Sequence, residues 1–205
     1  MNDIKNDPVI KVILLGESGV GKTSLINVTI GIEFNSKEEV TFTNSYVEKK
    51  FEVNNQTYYL QIWDTIGQEK YRQLTKLFFK NSRIVILVYD KSNIESFSAM
   101  DYWAKEVRNE LGDDIILALV GNKDDLDDKK EDVKEDIEEQ FARKINAKFK
   151  RASAKMNAKG FENFLKELLI DYINKHKNKI MNNNGRITLV KETKKKRKKC
   201  FKCKL

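Results

Sequence analysis

The stretch Gly16-Glu17-Ser18-Gly19-Val20-Gly21-Lys22-Thr23 has the spacing G-x-x-x-x-G-K-T. Its glycines let the backbone curl so that successive N–H groups face inward, an arrangement that holds phosphate oxygens. Lys22 supplies a cation for the outer phosphates, and the Thr23 hydroxyl suits Mg²⁺, a hard ion that takes oxygen ligands. Ser18, Gly19, Val20, Gly21, Lys22, Thr23 and Ser24 are therefore candidate phosphate contacts. Such a loop needs a strand before it and a helix after it. The apolar run Val9 to Leu15 precedes it, and Ser24-Leu25-Ile26 starts a helical pattern whose first turn adds free N–H donors and a positive dipole end. A chance glycine-rich turn would have neither neighbour.

Three further clusters carry chemistry. Asn122-Lys123-Asp124-Asp125 is N-K-x-D. A carboxylate in the plane of guanine accepts from N1–H and from the exocyclic N2–H₂ together, whereas adenine lacks that donor pair; Asp125 is the candidate for base selection. The Lys123 stem can pack over the base, and Asn122 can tie this loop to the phosphate loop. The run Asp124 to Asp128 also invites a metal-site reading, but the ligand spacing of a calcium loop is absent and a solvated acidic loop fits better. Asp64 stands at the end of an apolar strand and can hold Mg²⁺ through water. Gln68 follows four residues on, across Gly67, where it can orient an attacking water; an ordinary polar residue opening a helix is the plain alternative.

Elements must bring these clusters together. Strands are predicted at Val9–Leu15, Val47–Val53, Thr57–Thr65, Ile84–Tyr89, Ile115–Val120 and Phe149–Ala152, the second and third joined as a hairpin through Asn54-Asn55-Gln56. Helices are predicted at Lys22–Ile30, Glu69–Lys80, Glu95–Leu111, Val133–Ala147 and Phe161–Lys177. Residues 31 to 45 are polar with isolated aromatics and no period, as an exposed segment able to change conformation would be. Strands alternating with helices imply a mostly parallel sheet covered on both faces. All the candidate clusters follow strands, and loops after parallel strands share one edge of the sheet. One cleft should collect them.

The four segments Gly16–Thr23, Trp63-Asp64-Thr65-Ile66-Gly67-Gln68-Glu69, Gly121-Asn122-Lys123-Asp124-Asp125 and Ser153-Ala154-Lys155 resemble the signature set of Ras-superfamily small GTPases, and within it the Rab family. The resemblance covers about Val9 to Lys177. It implies an α/β, three-layer P-loop GTPase fold: a six-stranded, mostly parallel sheet with one antiparallel edge strand and about five helices. It implies GTP/GDP and Mg²⁺ as cofactors, with Gln68 and Lys22 serving hydrolysis and Thr23, Thr41 and Asp64 serving the metal. Phe34 would cover the guanine, Gly67 would meet the γ-phosphate, and Ser153, Ala154 and Lys155 would close the base pocket. Tyr46, Trp63 and Phe78 match an aromatic triad presented to effectors, although plain hairpin packing would account for Tyr46 equally well. Exchange factors, activating proteins and effectors would engage the two switch segments of a monomer.

Three positions depart from the pattern. Thr41-Phe42-Thr43-Asn44-Ser45-Tyr46 lacks the Rab-like Thr-Ile-Gly, and Ser45-Tyr46 is similar to Ras-type proteins. Ile66 stands where the family has Ala, and its bulk beside Gly67 implies slow hydrolysis. Ser18 occupies a position that is Gly in Ras-type proteins and commonly Ser in Rab-type ones. The resulting expectation is a Rab-like switch that hydrolyses GTP and recruits effectors in vesicular traffic. The alternatives are a slow-hydrolysing GTP-bound adaptor and a Ras-like signalling GTPase.

Charge is distributed unevenly. The formal net charge is +8, and residues 191–205 carry nine Lys/Arg against one Glu, leaving 30 basic and 30 acidic residues elsewhere. A neutral body argues against a nucleic-acid-binding face. The basic run suits the anionic cytoplasmic face of intracellular membranes, at roughly 1 kcal/mol per residue, with cycling to the cytosol. A second anchor is expected, and Cys200 and Cys203 are the candidate lipidation sites, geranylgeranylation being what the resemblance implies. Cys203 is third from the end, so no C-a-a-X box is present. A nuclear-localisation or RNA-binding patch would leave both cysteines without a role. Two cysteines in the last six residues cannot staple a core, which suits a reducing compartment. The polar N-terminus does not read as a signal peptide, Asn2 excludes N-myristoylation, and no apolar stretch approaches the roughly 18–20 residues that span a bilayer. The expected layout is an extension at 1–8, a nucleotide-binding domain at 9–178 and a flexible tail at 179–205.

Overall fold

The computed structural model describes residues 8–36, 41, 45–65, 77–126 and 132–183. Six strands form one sheet: β1 (Val9–Leu15), β2 (Ser45–Val53), β3 (Gln56–Asp64), β4 (Ile84–Asp90), β5 (Ile116–Asn122) and β6 (Lys148–Arg151). Their order is β2-β3-β1-β4-β5-β6. Only the β2–β3 pair is antiparallel; the other four pairings are parallel. Asn54 and Asn55 both take positive φ, 52° and 60°, the geometry a two-residue hairpin turn requires.

Period-two alternation divides each central strand between two cores. Ile10, Val12, Leu14, Ile84, Ile86, Val88, Ala118 and Val120 face one side. There they meet α1 (Lys22–Thr29) and α4 (Ala158–Asn183) through Leu25, Ile26, Phe161, Phe164, Leu165, Leu168 and Leu169. Ile13, Leu15, Val85, Leu87, Tyr89, Leu117 and Leu119 face the other. That side packs on Met100, Trp103 and Val107 of α2 (Ile94–Leu111) and Ala142 of α3 (Glu135–Lys144). β4 is buried along its whole length, as a strand covered on both faces must be.

Four helices lie among the described residues. Most of the expected Glu69–Lys80 helix falls outside them, and residues 77–80 form turns. The helix expected over Val133–Ala147 is shorter at both ends. The Asp132 and Val133 N–H groups donate instead to the Lys91 carbonyl, at 3.0 and 3.2 Å, which holds them out of the helix. Asn146, at φ 50°, ends it in the left-handed region. The last helix runs further than expected, from Ala158 through Asn183, because its lysine- and asparagine-rich end contains no glycine before Gly185. No helix among the described residues is long and apolar enough to cross a membrane.

Candidate functional site

The loops after β1, β5 and β6 meet at one edge of the sheet, around a cavity of about 400 Å³. Ser18, Gly19, Gly21, Lys22, Thr23 and Ser24 line one end; Asn122, Lys123, Asp125, Ala154 and Lys155 line the other; Phe34 and Thr41 close the side. Asn35, Ser36 and Leu126 also line it and escape a motif-based reading, their only signal being adjacency to Phe34 and Asp125. Val20 does not line it: its side chain is buried in the core, and its carbonyl accepts from Asn122 Nδ2 at 2.8 Å. Ser153 lies behind the cavity wall rather than on it. Ile66, Gly67, Gln68, Cys200 and Cys203 lie outside the described residues.

The phosphate-loop end is built by close approach. Gly21 caps α1 in the left-handed region, at φ 91°, and a Cβ there would land on the Asn122 amide. Glycine is thus required twice over, by conformation and by space. No side chain caps α1, and Lys22, Thr23 and Ser24 of its first turn line the cavity. Lys22 Nζ donates to the Gly16 and Glu17 carbonyls, both at 2.9 Å. Lys22 is only 6% exposed, and this burial lowers its pKa to about 8, against the opposing pull of Asp64 and Glu17.

Thr23, Thr41 and Asp64 come from three separate segments, yet their oxygens converge. Thr23 Oγ1 donates to Asp64 Oδ2 at 2.6 Å and shares a 2.7 Å hydrogen bond with Thr41 Oγ1; Thr41 Oγ1 lies 3.3 Å from the same carboxylate oxygen. One carboxylate and two hydroxyls make an all-oxygen donor set, the kind Mg²⁺ takes and a softer metal would not favour.

At the other end Asn122 joins two loops, because its Oδ1 also accepts from the Ala154 N–H at 3.3 Å. Asp125 Oδ1 accepts from Ser153 Oγ at 2.6 Å, and Lys155 Nζ stands 3.9 Å from Oδ2. Lys123 takes a positive φ of 66°, and its ammonium pairs with Asp90 Oδ2 at 2.6 Å. That pair holds the Lys123 stem along the cavity wall, where the Asp125 carboxylate also lies.

Beside the cavity, Tyr46 stacks on Trp63 with ring centroids 4.9 Å apart, Trp63 meets Phe78 at 5.8 Å, and Lys11 Nζ lies 4.6 Å over the indole. Tyr46 is 49% exposed, whereas Trp63 is partly buried and packs against the second core, so the cluster is a surface patch rooted in that core.

A family model described as the Ras family matches residues 11–174. Ras-related protein Rab-21 of Geodia cydonium is 44% identical over 117 residues, covering 57% of this chain and 51% of that protein. The chain therefore spans about half the length of that relative. Rab-21 of Mus musculus and of Homo sapiens are each 40% identical over 161 residues, covering 78% of this chain and 70% and 69% of those proteins.

Proposed function

The chain belongs to the Ras family of small GTPases and is Rab-like, and on that premise we propose that it binds GTP and GDP between these loops, hydrolyses GTP, and signals the bound form to membrane-traffic effectors. The observation that supports this reading is a cavity with the Asp125 carboxylate at one end and Lys22 and Thr23 at the other. A guanine nucleotide spans those two ends. The phosphate-loop N–H groups and Lys22 bind and orient the phosphates, Asp125 holds the base, and Asn122 keeps the two ends in register.

Thr23, Thr41 and Asp64 would hold Mg²⁺. When bound, the ion neutralises charge developing on the phosphate oxygens. Thr41 reaches this group from a stretch with no sequence period, so contact with the third phosphate and the ion would couple Thr41 to the Tyr46–Trp63–Phe78 face. Gln68 is assigned to orient the attacking water. No arginine lines the cavity among the described residues, so an activating partner would supply the missing charge, an acceleration of up to ~10⁵ in comparable systems. Protein purified without added nucleotide is expected to carry about one equivalent of guanine nucleotide. In a single-turnover experiment it should convert GTP to GDP and phosphate; a preparation that carries none, or binds ATP as well as GTP, sinks the reading.

Residues 9–178 then form the nucleotide switch and 179–205 the membrane tether, with Cys200 and Cys203 lipidated and the basic run of 191–199 drawn to anionic headgroups on a cytoplasmic membrane face. Unlipidated protein should float with phosphatidylserine vesicles at low salt and be released at high salt, because the Debye length falls from about 30 Å at 0.01 M to about 3 Å at 1 M. Geranylgeranylated protein should stay bound at both. Equal flotation after deletion of residues 191–205 would remove the tether assignment.

A further inference from the structure

We infer that Glu138 and Arg151 are positioning residues for base recognition, setting through Asp124 how firmly the Asp125 loop holds a guanine; this rests on the reading of the cavity as a guanine-nucleotide site. Neither side chain lines the cavity. α3 is largely solvent-exposed, and Glu135, Asp136, Glu139, Arg143 and Lys144 all face water. Glu138, on the same helix, is fully buried. A buried ion pair contributes little stability that an apolar pair of similar volume would not. Its geometry supplies a different reason for it.

Arg151 ends β6, immediately before the Ala152–Lys155 loop. Its Nε donates to Glu138 Oε2 at 2.7 Å and its Nη2 to the Val133 carbonyl at 3.3 Å. Its Nη1 lies 3.9 Å from Asp124 Oδ1. That same oxygen is 3.2 Å from the ammonium of Lys91, whose side chain is almost fully buried. Asp124 is therefore a node between two cations, one just after β4 and one at the end of β6. Its own N–H donates to the Ala152 carbonyl at 3.0 Å, and the next residue is Asp125. Residues 90–91, 123–126, 132–134 and 151–154 thus close on one small charge network behind the base end.

Arg151 is shared unequally: Glu138 is near and Asp124 is far. Removing the Glu138 charge frees the guanidinium to close on Asp124 in competition with Lys91, dragging the adjacent Asp125 out of the base plane. The pair then acts as a brake on nucleotide release, exerted from the side opposite the phosphates and the metal.

The test measures GDP release and the preference for GDP over IDP, whose base lacks the exocyclic amino group and can make only one of the two bonds to Asp125. Glu138→Gln is expected to speed GDP release about tenfold and to reduce GDP-over-IDP preference by a similar factor. The acceleration on chelating Mg²⁺ should remain as in the parent. A merely structural loss lowers the melting temperature and leaves base discrimination where it was. Asp124→Asn removes the node, so adding Glu138→Gln to it should change release less than about twofold, a non-additive result. If Glu138→Gln does not fold, Arg151→Lys takes its place: it keeps the charge but loses the fork spanning Glu138 and Val133, and both readouts should shift. Unchanged release and discrimination in the folded variant, or additive effects with Asp124→Asn, overturn the inference while ordinary GDP binding by the parent leaves the site reading intact. Failure of the parent to bind GDP overturns both.

Discussion

Asp125→Asn should turn a guanine-nucleotide binder into a xanthine-nucleotide binder. The carboxylate can accept from N1–H and N2–H₂ of guanine, two charge-assisted bonds of about 1.5–3 kcal/mol each. An asparagine there presents one acceptor and one donor, so its amide group opposes the N2–H₂ of guanine donor to donor. Xanthine carries a carbonyl at C2 and accepts from that amide. GDP affinity is expected to fall by about 10²- to 10⁴-fold and XDP affinity to rise above it. The Ser153 hydroxyl, 2.6 Å from Oδ1 in the parent, can still donate to the amide oxygen, so the loop should keep its shape. Competitive displacement of a fluorescent GDP by XDP measures the exchange of preference. A variant that weakens both nucleotides equally would mean that Asp125 shapes the loop without reading the base.

The second large effect concerns Lys22. Burial depresses its pKa from 10.5 to about 8 in the nucleotide-free protein. Between those values the unfolded chain binds the extra proton and the folded chain does not, so folded stability rises with pH across that window. Below pH 8 the full penalty of a buried ammonium is present. A shift of this size corresponds to about 3 kcal/mol, of which about 2–3 kcal/mol should be recovered between pH 7 and 10. In Lys22→Met that gain is absent, and denaturant unfolding of the two nucleotide-free proteins at both pH values isolates it. The pH slope is the clean readout, because the variant also removes the donor of the Gly16 and Glu17 carbonyls. The variant should also lose GTP affinity by about a thousandfold, because the phosphates lose their buried cation. Phosphates restore the Lys22 charge, so parent affinity should decline above pH 8 with net proton uptake on binding. Parallel pH slopes for parent and variant would show that Lys22 is not the buried charge.

The sheet and the loops at its edge were legible because strand burial leaves a plain mark. Val9–Leu15 and Ile84–Tyr89 are nearly continuous apolar runs, and chemistry-bearing residues follow each strand directly. Asn122 was legible as a tie, and it joins two loops rather than one. Thr41 was accessible only through family resemblance: residues 31–45 have no period, and nothing local states that a threonine there will reach Thr23. The direction of Val20 was not legible, because a motif assigns positions without assigning directions; its apolar side chain turns inward while its backbone bounds the loop. Glu138 and Arg151 were invisible for the opposite reason. Each sits among charged residues in sequence, Glu138 in Glu135-Asp136-Ile137-Glu138-Glu139 and Arg151 after Lys148-Phe149-Lys150, so both read as solvated surface. Only the packing of α3 against β6 makes them buried partners. The boundaries of α3 failed likewise, since the Lys91 carbonyl that captures the Asp132 and Val133 N–H groups lies some forty residues away.

Among the described strands, the one earliest in the chain lies in the middle of the sheet. β1 lies between β3 and β4, and the base-side loop depends on β6 at the far edge. During synthesis, therefore, β1 has no parallel partner until β3 emerges, and residues 16–23 can take their final form only when β4 arrives. Residues 153–155 follow later still. Distant parallel pairings of this kind close slowly and leave edges open to other chains meanwhile. Nascent chains that stop short of Lys155 have no complete pocket, so a bound nucleotide can steady the fold only after that residue has been made.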